Sequence, residues 1–153
     1  MSPTLTFRPL PKMPAKLLHA MRRDAGAPAV GPGDAAQARA LGRVQWVSVA
    51  MADTVIGIAR LEMAPPEFCY VADLIVSSKH RGQGVGRWFM QHIEQYCVAM
   101  GIRRVLLQAA DGAEGFYATQ GFAPDARAPG FLKKELNPFQ RKLFIAPGAS
   151  ARS

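Results

Sequence analysis

The stretch that decides the reading is Asp73-Leu74-Ile75-Val76-Ser77-Ser78-Lys79-His80-Arg81-Gly82-Gln83-Gly84-Val85-Gly86-Arg87-Trp88-Phe89. It passes from a strand-like apolar segment through a basic turn into a helix. From Gly84 the apolar positions adopt a period of about 3.6 residues. Val85, Trp88, Phe89, His92, Ile93, Tyr96, Cys97 and Met100 form one stripe, and Gly101 suits the C-terminal stop. A helix start exposes unpaired N–H groups and carries partial positive charge. Glycines at 82, 84 and 86 let an anion approach that backbone without meeting a Cβ. Lys79, Arg81 and Arg87 surround it, with no acid between Lys79 and Gln91. The segment reads as a pyrophosphate cradle.

Two other phosphate motifs are excluded. A P-loop ends in Gly-Lys-Ser/Thr, whereas Gly86 is followed here by Arg87-Trp88. A dinucleotide fingerprint needs Gly-x-Gly-x-x-Gly opening a parallel unit. Here the spacing is Gly-x-Gly-x-Gly, preceded by arginine.

Upstream, residues 67–76 read as a strand, and residues 44–52 and 55–63 as an antiparallel hairpin turning near Asp53-Thr54. Residues 5–9 suggest a short first strand. Residues 15–25 suggest a helix with Leu17, Leu18 and Met21 on one side and Gly26 at its stop. Asp34 suits the cap of a further helix through Leu41. Downstream, residues 104–109 read as a buried strand and 113–120 as a helix ended by Gly121. Phe122 opens a last strand region, with the final strand over 131–136. Strands and helices alternate only around the cradle, so the sheet should be mixed rather than parallel.

A chain of 153 residues, 49% hydrophobic and 20% charged, has the size and core of one domain. Its parts are an N-terminal region (1–43), a core (44–136) and a tail (137–153). The net charge of +8 favours a polyanionic partner, either nucleic acid or a phosphorylated small molecule. The aromatics are spent on helix stripes, without the basic-aromatic interleaving of single-strand binders, so no nucleic-acid partner is expected. No run reaches the roughly 18 apolar residues of a membrane helix, and the basic N-terminus lacks the apolar block of a secretory signal. A soluble protein is therefore expected. Cys69 and Cys97 have no metal-ligand spacing and read as two buried free thiols, which suits a reducing compartment such as the cytoplasm. No metal is expected.

About thirty residues beyond the cradle stands Gly115-Phe116-Tyr117-Ala118-Thr119-Gln120-Gly121-Phe122. This resembles the Phe-Tyr-x-x-x-Gly-Phe block of the GNAT superfamily of acyl-CoA-dependent N-acetyltransferases. Arg81-Gly82-Gln83-Gly84-Val85-Gly86 resembles that family's Arg/Gln-x-x-Gly-x-Gly/Ala motif, and Asp73-Leu74-Ile75-Val76 its fourth strand. The three blocks stand in the family's order, and together with the expected elements the resemblance covers roughly residues 44 to 136.

The resemblance implies an α+β fold. A mixed, mostly antiparallel sheet of about six or seven strands would be flanked by about four helices, with a splay between the family's strands 4 and 5. It implies acetyl-CoA, or another acyl-CoA, as co-substrate. The pantetheine arm would lie along Leu74, Ile75 and Val76, and the pyrophosphate on Arg81, Gly82, Gln83, Gly84, Val85, Gly86 and Arg87. Leu74 N–H would face the thioester carbonyl. Phe116 would also contact the cofactor. Many relatives carry an asparagine a few residues before the Phe-Tyr pair. Here residues 109–112 are Ala-Ala-Asp-Gly, so Asp111 takes that place. The acceptor would be an amine, on a small molecule or a peptide, and homodimers are frequent in the family.

The resemblance also implies that Tyr117 is the acid that protonates the departing thiolate, in preference to a plain core aromatic. Asp73 reads equally as a group that attracts an ammonium and takes its proton, or as a strand carboxylate facing solvent or paired with an arginine. Glu62 and Glu67 are weaker candidates. His92 reads as a packed or capping histidine, and His80 as an aid to the phosphates. A silent acyl-CoA sensor would carry the same cradle, so sequence leaves that reading open.

Overall fold

The structure, a computed structural model, describes residues 4–26, 43–110 and 112–136. The elements are β1 (Leu5–Leu10), α1 (Ala15–Ala25), β2 (Arg43–Met51), β3 (Thr54–Ala64), β4 (Phe68–Val71) and β5 (Ile75–Val76). A 3-10 turn at Ser78–His80 leads to α2 (Val85–Ala99), followed by β6 (Arg104–Leu107), α3 (Glu114–Ala118), β7 (Ala123–Pro124) and β8 (Leu132–Glu135).

One eight-stranded sheet runs β1-β2-β3-β4-β6-β8-β7, with β5 attached to β3 alone. The β4/β6 pair is parallel and every other pair antiparallel. This is the mixed sheet expected, with eight strands rather than about six or seven. The excess has a local cause: the segment expected as one strand over 67–76 is broken in two. Three α-helices stand among the described residues. The helix expected from Asp34, the loop before it and the tail from residue 137 lie outside them.

The break is a register shift. Leu61 pairs with Val71 and Ile58 with Ile75, so three steps along β3 face four on the other strand. Ala72, Asp73 and Leu74 absorb the extra residue as a bulge, and a bulge bends its strand. Before it, β4 pairs with β6 as far as Val71 and Leu107. After it, β5 stays with β3 and leaves β6. The sheet therefore opens into a notch between β5 and the end of β6.

Apolar residues fill both faces. On one side Val85, Phe89, Met90, Ile93 and Cys97 of α2 pack on Val47, Val49, Ala59, Leu61, Cys69, Val71, Val105 and Leu107. On the other, Met21 of α1 packs with Ile58 and Ile75, backed by Leu17, Leu18 and Trp46. The two cores meet near Gly57. A Cβ there would lie 2.6 Å from Val49 Cγ1, 3.2 Å from Ile75 O and 3.6 Å from Phe89 Cδ2. Only a hydrogen fits beside the bulge. Both cysteines are buried free thiols. Their mutual hydrogen bond, followed by burial, pushes the Cys69 thiol far above its usual range.

Candidate active site

The cradle is exposed. Residues 81–84 form a solvent-facing turn, with Gly82 at φ 76° and Gly84 at φ 81°. Gly84 is the N-cap of α2 and supplies no side-chain cap. The first intrahelical bond there runs from Trp88 N–H to Gly84 O at 3.0 Å, so the N–H groups of Val85, Gly86 and Arg87 precede it. No acidic residue stands in the first turn. A Cβ added at Gly82 or Gly84 would meet nothing within 4 Å, so the backbone lies open to an approaching anion.

Arg81 is anchored at the foot of the turn. Its Nε donates to Val76 O at 3.1 Å, which turns the guanidinium back toward β5. Gln83 Nε2 reaches Lys79 O at 3.4 Å and ties the turn to the 3-10 segment. Lys79 and Arg87 are exposed.

Phe116 comes from the second block and meets the first. Its ring carbon Cζ lies 3.3 Å from where a Cβ of Gly86 would stand. Phe116 remains 39% exposed, a large apolar surface beside the glycine turn. Tyr117 lies behind it, edge-on to Phe116 at 5.1 Å and to Phe122 at 5.7 Å. Burial raises the Tyr117 phenol above its ordinary value of 10.0, so it is a proton donor at neutral pH. Leu74 packs against the same apolar cluster and belongs to neither ladder, so strand pairing does not consume its N–H. Ile75 and Val76 form β5 along the notch.

Asp73 lies in the bulge among arginines. Arg22 Nη2 is 2.8 Å from Asp73 Oδ1, and Arg60 Nε is 3.4 Å from Oδ2. Arg60 Nη2 also stands 3.2 Å from Glu62 Oε2. Of the two readings open for Asp73, this geometry is the arginine-paired one. Glu62 is buried in the same network, whereas Glu67 is exposed in the turn after β3. His92 stacks on Trp88 at 3.8 Å, and its Nδ1 lies 2.9 Å from Trp88 O, a packed and anchored ring. Asp111 lies outside the described residues.

Arg22, Arg60, Asp24 and Ser78 escaped the reading of the sequence. For Arg22 a signal existed: it follows Leu18 by four residues on the apolar side of α1, where a guanidinium demands a partner.

Residues 17–122 match the model of the acetyltransferase (GNAT) family. Solved structures share the fold at low identity. The ribosomal-protein-S18-alanine N-acetyltransferase from Escherichia coli is 15% identical with a TM-score of 0.70, over 88% of this chain and 95% of that one. The PaiA N-acetyltransferase from Thermoplasma acidophilum, solved in complex with coenzyme A, is 13% identical with a TM-score of 0.63, over 86% and 99%. N-acetylglutamate synthase from Neisseria gonorrhoeae, complexed with coenzyme A and N-acetyl-glutamate, is 16% identical with a TM-score of 0.65, over 90% of this chain and 36% of that one. With its bulged strand, opened sheet and uncapped glycine turn in the matched region, the chain belongs to the GNAT family of acetyltransferases.

Proposed function

We propose that the chain moves an acetyl group from acetyl-CoA to a primary amine by direct attack of the amine on the thioester. The observation that carries the reading is the junction of the notch with the exposed, uncapped start of α2. An extended arm running along β5 would end with its diphosphate at the amides of Val85, Gly86 and Arg87. The residues present fit that group: two open left-handed glycines, no acid in the first turn, and Lys79 and Arg87 free in solvent nearby.

Acetyl-CoA supplies an activated carbonyl and a thiolate leaving group. Leu74 N–H stabilises the developing oxyanion. As the new C–N bond forms and the C–S bond breaks, Tyr117 gives its proton to the sulfur. The nitrogen gives up its extra proton to solvent, and solvent returns a proton to the Tyr117 phenolate. Asp73, faced by two guanidinium groups, holds the bulge that presents Leu74. Paired with these arginines, Asp73 is not the group that attracts the substrate ammonium. The acceptor is a small-molecule or peptide amine met in the cytoplasm.

The test is thiol release from acetyl-CoA across a mixed amine library, with Tyr117→Phe alongside. Turnover of at least one amine, lost in the variant, supports the reading. Tight acetyl-CoA binding without turnover on any amine would replace it with a silent sensor.

A further inference from the structure

The last turn of α1 grips both ends of the segment that carries the proposed oxyanion donor and cofactor strand. Arg22 holds Asp73 in the bulge. Asp24, two residues on, holds Ser78 beyond β5. Its Oδ2 accepts from Ser78 N–H at 2.7 Å and its Oδ1 from the Ser78 hydroxyl at 2.7 Å. Ser77, the N-cap of the 3-10 turn, makes no side-chain cap bond of its own. A carboxylate from a distant helix fills that role.

The bonds continue toward the cradle. His80 N–H closes the turn on Ser77 O at 2.9 Å. Gln83 Nε2 reaches Lys79 O, and Gln83 adjoins the Gly84 N-cap of α2. Arg81 Nη2 also stands 4.0 Å from Asp24 Oδ2. An acid so close to a phosphate site looks adverse, since like charges repel. Its charge is directed at Ser78 and Arg81 instead. These hydrogen bonds from Ser78, side chain first, hold the Asp24 carboxyl below its usual range, so it is ionised at neutral pH.

We propose that Asp24 is a positioning residue for the nucleotide half of the acyl-CoA, acting through Ser78 to order the turn before α2. The inference rests on the reading that this turn holds the diphosphate. A turn rich in glycine loses much conformational freedom when a ligand fixes it. Ordering it beforehand lowers that cost of binding. The pantetheine half, which lies along β5, gains little from the same device.

Calorimetric titration of the full chain with CoA and with pantetheine, which lacks the diphosphate and nucleotide, separates this role from general support of the fold. In Asp24→Ala the preference for CoA over pantetheine should fall about tenfold. Asp24→Asn, which keeps one acceptor oxygen, should fall less. Ser78→Ala, which removes only the hydroxyl, should move in the same direction and supplies the test if Asp24→Ala does not fold. An unchanged preference in these variants, including an equal weakening of both ligands, overturns the proposal. If the unaltered protein does not bind CoA, the cradle reading itself fails. If it binds CoA and Asp24→Ala binds equally well, only the role of Asp24 fails.

Discussion

Arg22 Nη2 lies 2.8 Å from Asp73 Oδ1, an ion pair between the end of α1 and a bulge 51 residues further along the chain. Both partners are largely buried, with 9% and 17% of their side-chain surfaces exposed. Removing one charge of a pair in such a place is costly, more so than the intact pair is favourable. Asp73→Asn should therefore destabilise the protein by about 2–3 kcal/mol. Urea unfolding measures it, with a lower midpoint expected at an unchanged slope. A variant of full stability whose kcat alone collapses would point instead to a direct part for Asp73 in proton transfer.

Tyr117→Phe keeps the ring and its edge contacts to Phe116 and Phe122 while removing the hydroxyl. Turnover should drop by about tenfold to a thousandfold, overlapping the roughly 10²- to 10⁴-fold that general acid catalysis contributes. The melting temperature should barely change. An undiminished rate would remove Tyr117 from the chemistry.

The pH profile gives an independent reading of the same group. Burial raises the Tyr117 phenol above 10.0, and an acid works only while it holds its proton. The donor form is therefore kept further into the alkaline range than for an ordinary tyrosine, and any loss of kcat due to Tyr117 falls there. Tyr117→Phe should lack this limb. A limb centred near pH 8 that disappears in the variant would contradict the upward shift of the phenol.

Gly57→Ala puts a methyl 2.6 Å from Val49 Cγ1 and 3.2 Å from the Ile75 carbonyl. Val49 can shift only within a filled core, and Ile75 O is backbone. A loss of about 1–3 kcal/mol is expected, from overpacking. Because Ile75 belongs to β5, CoA affinity should fall together with the unfolding midpoint.

Gly84→Ala separates the two effects. The position has φ 81° and open space around its Cβ direction, so the stability loss should stay near 1–2 kcal/mol, the cost of a left-handed alanine. The methyl stands where a phosphate would approach the amides, and CoA binding should weaken by about tenfold. CoA affinity equal to that of the parent would argue that the phosphates lie elsewhere.

Local pattern made much of this architecture legible. The apolar stripe from Val85, with glycines near both ends, marked a helix that the structure places at Val85–Ala99. Leu17, Leu18, Met21 and Gly26 marked α1 to the residue. The hairpin around Asp53 needed only period-two alternation and a turn. The fourth strand was read as continuous because Leu74, Ile75 and Val76 prolong the apolar run of β4. Its bulge arises from a register difference against β3, which a single strand's composition does not encode. The same limit hid the partners of Asp73 and Ser78. Arg22 and Asp24 lie 51 and 54 residues away from them, and only the packing of α1 on β5 brings them close.

A sheet usually guards its lateral rims, because bare main-chain donors and acceptors invite other chains to join. This molecule carries such a rim inside itself, where β5 parts from β6. The α1 helix packs on β5 beside this rim through Met21 and Ile75. An acyl-CoA arm laid against it, as proposed above, would be recognised by its backbone-like amides before any side chain.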